Sequence, residues 1–132
     1  MDCRTPVELA WNFWTDVRNW ALDSDVVSVE MEGPFAAGAS GITNSKSSGA
    51  IRWHIREAHF GHAVIEIPMP DAVARFDWAF MPTPSGCRIT QRCTIEGERA
   101  GFYAEQFGPS LAAGIPAGLQ KICEAIESRL SY

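Results

Sequence analysis

Residues 102–130 read FYAEQFGPSLAAGIPAGLQKICEAIESRL, and the fold turns on how this stretch is read. Phe107, Leu111, Ile115, Leu119, Ile122, Ile126 and Leu130 recur at steps of three and four, which puts them in one stripe along a helix. Upstream, from Val26 to Glu96, apolar and polar residues alternate with period two, the pattern of strands with one covered face. A lone long helix that follows a run of strands buries its stripe by lying on the sheet. A curved sheet wrapped around such a helix often leaves a pocket between them, so small-molecule binding is the first hypothesis.

The strand windows are 26–32 with Val27, Val29 and Met31 inward, a weak Gly- and Ser-rich window over 39–45, and 50–57 with Ile51, Trp53 and Ile55. Ala63, Ile65 and Ile67 mark the next; then Phe76, Trp78 and Phe80 over 73–81, and Ile89, Gln91, Cys93 and Ile95 over 87–96. Short turns join them, which implies an antiparallel meander. Arg52, His54 and Arg56 fall on the opposite face with Glu66, Asp77 and Glu96, as solvent-facing cross-strand pairs would. Before the strands, Thr5-Pro6-Val7-Glu8 reads as a capping box that opens a helix with Val7, Ala10, Trp11 and Trp14 on one face. That helix ends near Asp16 and gives way to a short helical turn through Asn19 and Trp20. Pro109 and Pro116 interrupt the final stripe, and an interior proline removes one hydrogen bond and crowds the preceding turn. The expectation is a continuous helix from near Pro109, a kink over 112–116 and a looser helical segment over 101–106. The fold class is α+β, a helix-grip arrangement with two short N-terminal helices.

At 132 residues the chain is expected to form one domain spanning 1–132. A formal net charge of −5 disfavours nucleic acid or an anionic membrane as the main partner. No apolar run approaches the roughly 18 residues of a membrane span, and no secretory signal is visible. Cys3, Cys87, Cys93 and Cys123 make no C-x-x-C and match no zinc or haem spacing; they read as reduced thiols of a cytoplasmic protein.

The order of a capped helix, a short second helix, a meander and a long final helix resembles the START-like, or birch-pollen-allergen-like (SRPBCC), superfamily, whose bacterial members include the polyketide cyclase/dehydrase branch. The matching residues run from Thr5-Pro6-Val7-Glu8 through Trp11 to Thr15-Asp16-Val17 and Asn19-Trp20, then Val29, Met31, Gly33-Pro34 and Gly38, and later Pro84-Ser85-Gly86-Cys87-Arg88-Ile89-Thr90. These motifs are specific for fold and weak for function. The superfamily holds lipid carriers, receptors, cyclases, dehydratases and stress proteins, so no one activity carries over. Its members usually begin with a full strand, whereas Met1 to Arg4 alone precede the cap here; the first strand is then very short, or the start lies downstream of the true one. An under-covered sheet edge of this kind favours a homodimer.

The expected ligand-binding residues are Trp53, Ile65, Trp78, Phe80, Gln91 and Cys93 on the sheet, facing Phe107, Leu111 and Ile115 on the helix. Aromatic core packing explains the aromatic members equally well. Gln91 is polar on an apolar strand face and needs a partner, either a ligand group or a water or backbone group. Gly114 and Gly118 lie one turn apart on the stripe side; they either leave space over the sheet or allow close helix–sheet contact. His59 and His62 sit three apart in a turn with no third ligand, so no metal and no cofactor is expected. Three functions stay open: binding of a small hydrophobic or aromatic molecule, a cyclase- or dehydratase-type reaction that uses Gln91, and a cavity-free interaction module.

Overall fold

The computed structural model describes residues 1–22 and 25–129. Its strands are β1 (Asp2–Cys3), β2 (Val26–Met31), β3 (Ser40–Ser45), β4 (Gly49–His59), β5 (His62–Met69), β6 (Ala72–Thr83) and β7 (Gly86–Glu96). Helix α1 covers Val7–Thr15, a 3-10 turn covers Val17–Trp20, and α2 covers Ala100–Arg129. The strands form one antiparallel sheet in the order β1-β7-β6-β5-β4-β3-β2. This is the helix-grip architecture, with α2 on the face that carries Ile55, Ile65, Trp78 and Ile89. No helix among the described residues is long and apolar enough to cross a membrane.

The two-residue period sets the inward face of β4 to β7 as expected, with Trp53, Ile55, Ala63, Ile65, Trp78, Phe80 and Ile89 all buried. In β2 the phase holds at Val29 and Met31 but fails at Val27. The pairing with β3 shifts register between Val26 and Ser28, a bulge that turns Val27 outward, 63% exposed, while Val26 packs on the core. At the N-terminus Pro6 takes the cap position of α1 without a side-chain cap bond, so the Thr5–Glu8 capping box is not formed. Thr5 is fully buried instead: β1 holds the chain against β7 as far as Cys3, and Thr5 turns inward between the exposed Arg4 and Pro6.

Helix α2 is one continuous element that begins at Ala100, not near Pro109, and holds Pro109 and Pro116 in its interior. Both prolines are exposed, so water can take up the carbonyls that lose their partners. The helix is tied at two places. Near its start, the Tyr103 hydroxyl donates to the Pro70 carbonyl at 3.0 Å, beside the β5–β6 turn. Near its end, Glu127 accepts from the Arg4 amide at 2.9 Å, and the Cys3 thiol reaches the Cys123 carbonyl at 3.9 Å.

The outer face of the sheet is less wet than its charges suggest. Glu66 is only 8% exposed and accepts from Arg75 Nε at 2.6 Å, His54 Nε2 at 2.8 Å and Arg56 at 3.2 Å. Arg75 continues to Glu96 at 2.8 Å, so the network crosses four strands. Burial pushes the Glu66 carboxyl up, but the hydrogen bonds from Arg75, His54 and Arg56 outweigh it and hold it below its usual range. A carboxylate depressed in this way stabilises the fold fully above its unfolded value of 4.5, and the contribution is lost as pH falls through the lower folded value. Glu66→Gln is expected to lower unfolding free energy by about 1–2 kcal/mol at neutral pH, with the gap to wild type closing on acidification below pH ~4. Urea titrations across pH check this; a gap that widens in acid would contradict it.

Candidate functional site

Aromatic side chains divide the concave face of the sheet in two. Helix α1 lays Trp14 over β6, its ring centroid 4.7 Å from that of Trp78 and 5.3 Å from that of Phe80. Trp11 covers Phe80 from the other side at 5.3 Å. The 3-10 turn adds Trp20, whose Nε1 donates to the Trp14 carbonyl at 2.6 Å and whose ring lies 5.0 Å from Trp53. One end of the concavity is thereby solid core. At the other end a cavity of about 460 Å³ opens between sheet and α2, within the usual size range of small-molecule sites.

Its floor is built from Val29 of β2, Thr43 of β3, Ile51 and Trp53 of β4, Ile65 and Ile67 of β5, Phe76 and Trp78 of β6 and Gln91 of β7. Phe13, Trp14, Asn19, Trp20 and Leu22 close one side, and Gly114, Ala117, Gly118, Lys121 and Ile122 of α2 form the roof. Glycine does the shaping at both surfaces. A Cβ at Gly41, the β3 partner of Trp53, would clash with the Trp53 ring and come within 2.8 Å of the Glu30 carbonyl oxygen. The small residues of β3 therefore let the indole lie flat across the strand, where its Nε1 donates to Thr43 Oγ1 at 3.1 Å. On the roof, a Cβ at Gly114 or Gly118 would meet nothing within 4 Å. Those two glycines leave space and do not serve close helix–sheet contact.

Of the residues expected from the sequence, Trp53, Ile65, Trp78 and Gln91 line this cavity. Phe80 does not, because Trp11 and Trp14 seal it into the core. Cys93, Phe107, Leu111 and Ile115 lie outside the lining as well. The first turns of α2 are held at the β5–β6 turn, and the helix enters the core only from Ile115 onward. Phe107 is accordingly 45% exposed, its ring stacked on Tyr103. Ala117 and Lys121 line the cavity without belonging to the apolar stripe; both share a helix face with Gly114 and Gly118 at steps of three and four, a usable signal. Trp14 is legible as buried from its helix face, but which part of the sheet Trp14 and Trp20 cover is a matter of tertiary packing.

The titratable groups elsewhere are structural. Cys87 is pushed up to about 11 and Cys123 to about 12, in both cases chiefly by burial, with Cys3 adding to it; these thiols stay protonated at neutral pH. His62 is engaged by Asp77 at 3.0 Å and lies 3.8 Å from Glu57. Among the described residues no three His, Cys, Asp or Glu side chains are placed to hold a metal ion.

No family model matches the chain, and no curated protein matches it. Solved structures do. Protein NE0264 from Nitrosomonas europaea superposes with a TM-score of 0.76 at 14% identity, over 100% of this chain and 94% of that one. The di-domain ARO/CYC StfQ of the steffimycin biosynthetic pathway gives 0.76 at 14% identity, over 100% of this chain and 50% of StfQ. Norcoclaurine synthase from Thalictrum flavum, in complex with dopamine and hydroxybenzaldehyde, gives 0.71 at 9% identity, over 97% and 83%. The chain shares the helix-grip fold of these structures, the fold that its sequence resemblance implied.

Gly41→Ala is expected to displace the Trp53 ring and lower stability by about 1–3 kcal/mol, the usual effect of overpacking. Denaturant unfolding together with tryptophan emission checks it; unchanged stability and an unchanged spectrum would contradict the close contact.

Proposed function

We propose that the chain, acting as one START-like domain, binds a small hydrophobic or aromatic molecule, lipid-like molecules included, between the sheet and α2. The observation that carries the reading is the roof of the cavity. A long helix held at both ends spans the sheet with Gly114, Ala117 and Gly118 facing an aromatic and aliphatic floor. A helix interior gains up to about 1 kcal/mol from Ala in place of Gly, and no close contact requires glycine at Gly114 or Gly118, which both line the cavity. The apolar floor with few polar groups fits ligand sites in general. The four free thiols accord with a reducing, cytoplasmic setting. β1 pairs β7 at Cys87 and Arg88, and Met1 extends the bonding to Ile89; the β7 edge beyond Ile89 supports association of two copies.

A cyclase- or dehydratase-type reaction is the second reading, favoured by the likeness to StfQ. It would draw on Gln91, which can orient a substrate carbonyl but is no ordinary general base.

Gly118→Leu tests the binding reading. The added side chain enters the cavity, while helix propensity favours the replacement. Wild type is expected to enhance phenylnaphthylamine fluorescence and to melt higher with the probe present. The variant is expected to lose both effects and to melt, without probe, no lower than wild type. Undiminished probe binding by a folded Gly118→Leu protein would overturn the reading in favour of a module without a working cavity.

A further inference from the structure

The polar groups around the cavity are unequal in what they leave free. Asn19 is committed, its Nδ2 donating to the Phe13 carbonyl at 2.8 Å. Thr43 Oγ1 accepts from Trp53, which leaves its own proton to donate. The Gln91 amide makes no hydrogen bond among the described residues, and it both donates and accepts. Lys121 is the one charged side chain among the described lining residues; it is exposed at the rim and has no ion pair or hydrogen-bond partner among them. The carboxylate one turn on, Glu124, is taken by Gln120 Nε2 at 3.0 Å. The described lining therefore offers a fixed positive charge and an excess of donors, with no carboxylate to receive a cation.

We infer that the occupant is an amphipathic organic anion, an apolar body lying between Trp53, Trp78 and Gly118 with a carboxylate or comparable acid group at the mouth beside Lys121. The inference rests on the binding reading above and specifies its ligand class. A neutral apolar molecule would leave Lys121 without effect, and a cationic one would meet repulsion with no carboxylate among the described lining residues to offset it. The chain's own charge of −5 works against anions at long range, so the preference is local to the mouth. The ammonium sits at a wet rim, and its contribution is that of an exposed charge pair.

Two fluorescent probes with the same aromatic body separate this inference from the one beneath it. Anilinonaphthalenesulfonate carries an anionic group, and phenylnaphthylamine lacks it. Lys121→Gln is expected to weaken the sulfonate probe by about three- to fivefold at low salt, with less than about a twofold change for the neutral probe. Raising the ionic strength should shrink the difference between variant and wild type. Lys121→Glu should weaken the anionic probe further. If both probes bind the wild type and Lys121→Gln alters neither, or alters both alike, the anionic-head inference is overturned while cavity binding stands. If neither probe binds the wild type, the binding reading falls and this inference falls with it.

Discussion

The site depends first on Trp14 resting on Trp78, ring centroids 4.7 Å apart. A tilted aromatic pair of this kind adds to the burial of two large apolar surfaces and fixes their relative geometry. It sets how far α1 reaches across the concave sheet. On one side of it, Trp11, Phe80 and Ile89 are core; on the other, Trp53, Ile65 and Gln91 are left facing α2. Trp20 extends the same partition, because its indole is held by the Trp14 carbonyl and stacks toward Trp53. Five tryptophans in a chain of 132 residues thus act as spacers as much as filling.

The helix completes the container because it is fastened at its two ends. Tyr103 meets Pro70 at the β5–β6 turn, and Glu127 meets the Arg4 amide beside β1. Between them the roof includes Gly114, Ala117 and Gly118 beside Lys121 and Ile122, so its small residues leave room over the sheet. The sheet behind it is held in register by the outer-face network. His54 and Glu66 are cross-strand partners, as are Glu66 and Arg75, so the ion pairs follow the ladder and link β4, β5, β6 and β7. A floor braced from outside and a roof tied at both ends can hold a cavity open without filling it.

Much of this was legible in the sequence because it is periodic. The alternation of Ile51, Trp53 and Ile55, and of Phe76, Trp78 and Phe80, is local information, and short turns then dictate the meander. The site was legible to the extent that it follows that phase, at Trp53, Ile65, Trp78 and Gln91. It was illegible where three dimensions intervene. Phe80 shares the phase of Trp78 but is sealed by α1. Phe107, Leu111 and Ile115 share the stripe of Leu119 but lie outside the lining, and a stripe says nothing of how far the sheet beneath it extends. The bulge at Val26 and Ser28 turns Val27 outward, where alternation alone places it inward. Thr5 looks like a cap and is core, because pairing by β1 outranks a local hydrogen bond.

The central claim is that α2 stands off the floor far enough to admit an apolar guest. A crystal structure of the protein with phenylnaphthylamine tests it most directly. The account predicts density for the probe between the Trp53 and Trp78 rings and the roof at Gly114 and Gly118, with both glycines still free of side-chain contact from the sheet. A structure in which the α2 backbone has settled onto Ile65 and Gln91, with the probe absent or bound elsewhere, would contradict it.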